Sequence, residues 1–179
     1  MKKLLSLFGL ALALYAGGGQ ALPIITDVYV TDSDPGSVAY VEFDVTTAGT
    51  FSIAAQGQFS LDPDGYWNWD PQIHLFASSL ALANLIASND DSFGWDSLIS
   101  AIPLGVGHYI LAVSEYHFTP SEAISGSNAS SVYDPGWIRV TIDSPDGDAR
   151  LSSVPEPATL ALFGLGLGAL GFGRRKAQV

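Results

Sequence analysis

The chain has no cysteine among its 179 residues. That excludes disulfides, thiol nucleophiles, Fe–S clusters and cysteine-type zinc sites together. Basic residues are scarce: seven Lys and Arg stand against 18 Asp and Glu, a formal net charge of −11. Nucleic acid is excluded as a partner on that balance, because phosphates need Lys and Arg. Charged residues make up only 14% and hydrophobic ones 47%, which excludes a disordered acidic chain. Catalytic signatures are missing as well. The three histidines, His74, His108 and His117, form no H-E-x-x-H pair, as a zinc hydrolase would. Gly105-x-Gly107 lacks the lysine and following helix of a phosphate loop, and no Gly-x-Ser-x-Gly elbow occurs. The expectation is a protein that is not an enzyme.

What is present divides into three parts. Residues 1–21 read MKKLLSLFGLALALYAGGGQA. A basic start, an apolar run of about 13 residues and the small-x-small ending Gly19-Gln20-Ala21 describe a signal peptide, cut by signal peptidase after Ala21, with Ala16 as the second choice. The run is too short for a membrane span, which needs roughly 20 residues. At the other end, Val154-Pro155-Glu156-Pro157 is a stiff, non-helical entry, since each proline fixes φ and lacks an N–H. Residues 158–173 carry no charge, and Arg174, Arg175 and Lys176 close the run. As a helix those 16 residues would reach about 24 Å, enough for a single transmembrane helix if the arginines snorkel. The basic cluster would stay cytoplasmic and the body outside.

This tail resembles the PEP-CTERM sorting signal of Gram-negative bacteria: a Pro-Glu-Pro motif, an apolar helix and a basic cluster, in that order, at residues 154–179. The resemblance implies processing by an exosortase after an inner-membrane stage, then release or surface display. Many proteins with this signal are linked to exopolysaccharide or biofilm. Val154, Pro155, Glu156, Pro157, Arg174, Arg175 and Lys176 would then be substrate, not catalyst.

The body, residues 22–153, holds 17 acidic residues and two basic ones, Arg139 and Arg150, a formal −15. Its pattern is period two with frequent turns. Residues 38–45, VAYVEFDV, put Val41, Phe43 and Val45 on one face and Tyr40, Glu42 and Asp44 on the other, as in a half-buried antiparallel strand. Residues 50–54 follow, with Phe51 and Ile53 inward. Short candidates lie at 58–61, 72–76 and 83–87. Residues 96–102 lead to a turn at Pro103-Leu104-Gly105. Residues 107–116, GHYILAVSEY, set Tyr109, Leu111 and Val113 on one face, and 137–142 set Ile138, Val140 and Ile142 inward. Strong helix signals are missing; at 81–86 helix and strand compete. The expected fold is all-β, a β-sandwich or jelly-roll-like domain of about 7–9 strands.

Five segments occur in a recognisable order. They are Asp70-Pro71-x-Ile73-x-Leu75-Phe76, Leu85-Ile86-Ala87-Ser88-Asn89-Asp90-Asp91, Asp96-Ser97-Leu98-Ile99, Pro103-Leu104-Gly105 and Tyr109-x-Leu111-x-Val113. The order resembles bacterial pre-peptidase C-terminal domains over about 45 residues. The resemblance implies a jelly-roll-like sandwich without catalytic residues of its own, some relatives binding polysaccharide, protein fibres or calcium.

Two acidic loops are candidate calcium sites: Asn89, Asp90, Asp91 and Asp96 in one, and Asp62, Asp64 and Asp70 in the other. Calcium takes six to eight hard oxygens, and either loop offers three or four. Neither has EF-hand spacing. The competing reading is turn chemistry, because Asn and Asp bond their own backbone. Tyr66, Trp67, Trp69 and Trp95 beside these loops are candidate glycan contacts, against the alternative that they cover a sandwich end. The function expected from all this is an exported, non-enzymatic surface or matrix protein, associated with extracellular polysaccharide. Its rivals are a carbohydrate-active or peptidase enzyme on a β-scaffold and a purely structural matrix protein.

Overall fold

The computed structural model describes residues 22–31, 36–58, 69–129 and 136–152. The signal segment, the sorting tail with its apolar run, residues 59–61 of the strand expected at 58–61, and Asp62, Asp64, Tyr66 and Trp67 lie outside the described residues. Among the described residues no helix is long and apolar enough to cross a membrane.

Alternating apolar residues build nine strands: β1 (Ile24–Val30), β2 (Ala39–Thr47), β3 (Gly49–Gly57), β4 (Pro71–Ala77), β5 (Leu85–Asn89), β6 (Ser97–Leu104), β7 (Gly107–Glu115), β8 (Gly136–Asp143) and β9 (Asp148–Leu151). They form two sheets, β1-β8-β3-β6 and β5-β4-β7-β2-β9, and their pairings are antiparallel. Inward faces meet in one core, with Phe43, Ile53, Ile73, Leu75, Leu111, Val113, Ile138 and Val140 fully buried. The chain is a β-sandwich.

The expected inward sets of β2, β3 and β8 are the buried ones. Three local expectations need correction. β7 is buried on both faces rather than one. A second apolar cluster, Val38, Phe76, Ala112, Phe118 and Ala123, covers the outer side of its sheet. Ala123 of that cluster belongs to a short helix, α1 (Pro120–Ser125), against the expectation of no strong helix in the body. Its start is nevertheless written in Thr119-Pro120-Ser121-Glu122. The Thr119 side chain accepts from the Glu122 N–H, the Glu122 carboxylate accepts from the Thr119 N–H, and proline fills the first turn. The third correction is the turn expected at Pro103-Leu104-Gly105: β6 runs through Leu104. β6 is an edge strand, where a proline costs no ladder bond.

β1 and β9 are additional strands at sheet edges, short or half-exposed. At 81–86 the competition resolves into a 3₁₀ turn, Leu82–Asn84, leading into β5.

Where the described chain resumes at Trp69, the indole closes one end of the sandwich. It packs on the main core and lies over Gly136, with its Cβ against Gly57. A Cβ on Gly136 would run into the indole ring. Gly136→Ala is therefore expected to lower stability by about 1–3 kcal/mol, as overpacking does, and to red-shift tryptophan emission. Gly105→Ala, which meets nothing within 4 Å, is the neutral control in the same thermal denaturation.

Candidate functional site

The pairing of β4 with β5 creates the site. Ile73 lies opposite Asn89 and Leu75 opposite Ala87. In an antiparallel pair, stepping back along one strand steps forward along the other. Residues just before β4 therefore face residues just after β5. Asp70 precedes β4, and Asp90 and Asp91 follow β5. One carboxylate oxygen from each lies within 4.8 Å of the others. The Asp70 carbonyl accepts from the Tyr116 N–H at 2.8 Å, which fixes this corner to the end of β7.

Ser97, at the start of β6 and 1% exposed, binds the two strand ends together. Its hydroxyl lies 2.6 Å from the Pro71 carbonyl oxygen and 2.9 Å from that of Asn89, and it also touches the Asp90 carbonyl. A hydroxyl has one proton to donate. Three carbonyl oxygens share it, so this corner is rich in oxygen acceptors and poor in donors.

The electrostatics follow. Asp70 Oδ1 and Asp90 Oδ1 are buried and accept no hydrogen bond from the described residues. Burial pushes the Asp70 carboxyl up to about 6, with Asp90 and Asp91 adding repulsion. Burial and then Asp91 raise Asp90 too, opposed by His117. The two arginines of the body are engaged elsewhere. Arg139 bonds Asp27 at 2.8 Å, and Arg150 is 4.0 Å from Asp44.

The acidic residues singled out from sequence thus divide differently in space. Asp70 joins Asp90 and Asp91, while Asp62 and Asp64 lie outside the described residues. The side-chain oxygens of Asn89 and Asp96 are taken up by protein donors instead. Asn89 Oδ1 accepts from the Leu98 N–H at 2.7 Å and the Ser92 hydroxyl at 3.1 Å. Asp96 Oδ1 accepts from the Gly57 N–H at 3.1 Å. Of the aromatics, Trp69 packs at the sandwich end. Trp95 is 47% exposed, beside the 74% exposed Phe93, on a turn where Gly94 holds a positive φ of 67°. Ser97 was not singled out, although Asp96-Ser97 stood in the segment order; its role depends on the β4–β5 pairing.

The cluster fits a hard divalent cation. It offers carboxylates and backbone carbonyls, the donor set calcium prefers, and two of its oxygens are buried without a hydrogen-bond donor. Asp70, Asp90 and Asp91 are the side chains that would hold the ion.

In the absence of a cation the cluster has a pH signature. The folded pKa of Asp70, about 6, lies above its ordinary 3.8. The folded state therefore binds the extra proton, and the resulting stability is complete below about pH 4 and lost as pH rises through about 6. In chelator, Asp70→Asn is expected to melt higher than wild type at pH 8, with the gap closing toward pH 4. A gap independent of pH in paired melting curves would contradict this assignment.

Comparison with known proteins adds the tail. The PEP-CTERM protein-sorting motif matches residues 153–177. It is a substrate signal for exosortase processing and indicates export and membrane-anchored sorting in Gram-negative bacteria. No curated protein matches the chain. Among solved structures, the chain is similar to the pre-peptidase C-terminal domain of a collagenase from Bacillus anthracis. Identity is 12% and the TM-score 0.43, over 67% of this chain and 90% of that one. A protein from Sulfurospirillum deleyianum is similar at 15% identity and TM-score 0.36, over 69% and 98%. PliG of Aeromonas hydrophila, a periplasmic inhibitor of g-type lysozyme, is similar at 12% and 0.37, over 70% and 88%.

Proposed function

We propose that this chain is an exported, exosortase-sorted, non-enzymatic protein of the cell surface or extracellular matrix. Its sandwich is clamped by a divalent cation, calcium by donor type, and it associates with extracellular polysaccharide. The observation that carries the reading is the sorting motif at 153–177 behind an acid-rich β-sandwich. The basic start and apolar run of residues 1–21 support entry through a signal peptide.

The acid cluster supports the cation over a hydrolase. A glycosidase sets two carboxyl groups about 5–9.5 Å apart across a groove. Here oxygens of three carboxylates gather within 4.8 Å, a grouping that suits one shared ion. Each additional unpaired carboxylate raises the cost of leaving the cluster without a counter-charge.

Two outcomes are expected. Millimolar calcium raises the melting temperature of the full chain, by mass action worth about 2.7 kcal/mol at one hundred times Kd. The rise disappears in Asp70→Asn and weakens below pH 6, where protons compete for Asp70. A melting curve indifferent to calcium and chelator removes the ion. In a host with an exosortase, intact mass of the exported form is expected to run from near Leu22 to near Pro155-Glu156-Pro157. Replacing Glu156 by Ala is expected to hold the uncut form in the inner membrane; normal processing of that variant would refute the sorting assignment.

A further inference from the structure

The outer face of the four-stranded sheet carries a second arrangement, remote in sequence from the acid cluster. Register alone assembles it. Tyr29 of β1 lies opposite Trp137 of β8, and Asp27 opposite Arg139. On the other side of β8, Arg139 lies opposite Gln56 of β3. Each of the five is more exposed than its neighbours along the strand, so their side chains point outward.

The Tyr29 and Trp137 rings are 5.1 Å apart, tilted by 54°, and Tyr29 is 47% exposed. One strand step of two residues away, about 7 Å, is a planar polar row. Arg139 Nε and Nη2 donate to the two Asp27 carboxylate oxygens at 2.8 and 3.0 Å, and the exposed Gln56 amide flanks them. Behind Trp137 the strand is backed by the Trp69 indole over Gly136.

We propose that this face is a binding platform for a neutral polysaccharide chain; the proposal rests on the reading that the protein associates with extracellular polysaccharide, and gives that association a site. An aromatic pair with amphipathic rings offers apolar faces to the C–H side of a sugar ring. The guanidinium, carboxylate and amide of the next row offer both donors and acceptors to its hydroxyls. Charge selects the neutral class. Asp27 and Arg139 cancel within the platform, while the body around it carries −15 and repels polyanions. A protein partner is disfavoured. A stable protein interface buries about 800 Å² on each side around an apolar centre, and here the aromatic pair borders Asp27, Arg139 and Gln56. The tip carrying Trp95 is the rival location, and it has no comparable polar row among its described contacts.

The test uses the full chain in mild detergent. Cellohexaose, laminarihexaose and dextran serve as neutral probes, polygalacturonate as the anionic one, and the host's own exopolysaccharide as the reference. Binding is read by calorimetry and tryptophan fluorescence. Expected are saturable binding of the reference and at least one neutral probe, and none of polygalacturonate. Tyr29→Ala and Trp137→Ala should each weaken that binding by about tenfold or more, the scale of one lost anchor, while Trp95→Ala should not. Should Trp137→Ala fail to fold, Tyr29→Ala at the sheet edge and Arg139→Gln carry the same test.

Glycan binding unchanged in these variants, or lost in Trp95→Ala, would overturn the platform and leave the polysaccharide reading standing. Preference for polygalacturonate would overturn its neutral selectivity. No binding of any glycan, the host's included, would overturn the reading beneath it. Binding to host matrix that survives periodate but not protease would overturn the proposal in favour of a protein partner.

Discussion

Contact between the inward faces of the two sheets is what everything else depends on, since no cysteine is available to staple the chain. Phe43, Ile53, Leu75, Leu111 and Ile138 are each fully buried, and each gains roughly 1.5–3 kcal/mol from leaving water. A core so apolar drives most carboxylates onto outer faces and loops. Where a cation is within reach, charge is compensated. Arg139 holds the Asp27 carboxyl below its ordinary range, and a hydrogen bond from His108 does the same for Asp44. With two arginines in the body, that supply ends. Among the described residues, Asp70, Asp90 and Asp91 gather at a corner that neither arginine reaches, and the proposed cation would supply the counter-charge there.

The second cluster strengthens the same corner from behind. His74, 2% exposed, lies between Ser88 of β5 and Phe118. Its Nε2 is 3.0 Å from the Phe118 carbonyl, and its Nδ1 is 2.7 Å from the Ser88 hydroxyl. A carbonyl only accepts, so the proton sits on Nε2, and Nδ1 accepts from Ser88. The neutral ring thus ties β5 to β4 and to the segment leading into α1. Those are the strands whose ends carry Asp70, Asp90 and Asp91. His74 is thus a structural bracket.

Much of the sandwich was legible from period-two patterning, because a half-buried strand records its environment residue by residue. Val41-x-Phe43-x-Val45 and Ile138-x-Val140-x-Ile142 are examples. Legibility failed where environment was not periodic. β7 reads as one-sided, since no local pattern announces that Phe118 and Ala123, downstream in the chain, cover its other face. α1 was passed over despite its capping box, because six residues carry too little periodicity to weigh. The acid site was half legible. Its residue types are evident, but only the β4–β5 register brings Asp70 to Asp90 and Asp91. The Tyr29–Trp137 platform was less legible still, since it joins the first strand to the eighth.

Burial shifts His74 and Asp70 in opposite directions. Burial lowers the pKa of His74 below its ordinary 6.5, so its contribution is present above that value and lost as pH falls further. Asp70 does the reverse, losing its contribution as pH rises through about 6. Without a cation, stability is therefore trimmed from both sides of slightly acidic pH. An ion bound to the ionised cluster changes one side only. It would convert the Asp70 carboxylate from an uncompensated, half-buried charge into a ligand and restore stability at neutral and alkaline pH. The neutral His74 bracket still sets the acid limit. The site would then secure the fold in neutral surroundings containing calcium and leave it weakest where both protons and chelators are plentiful.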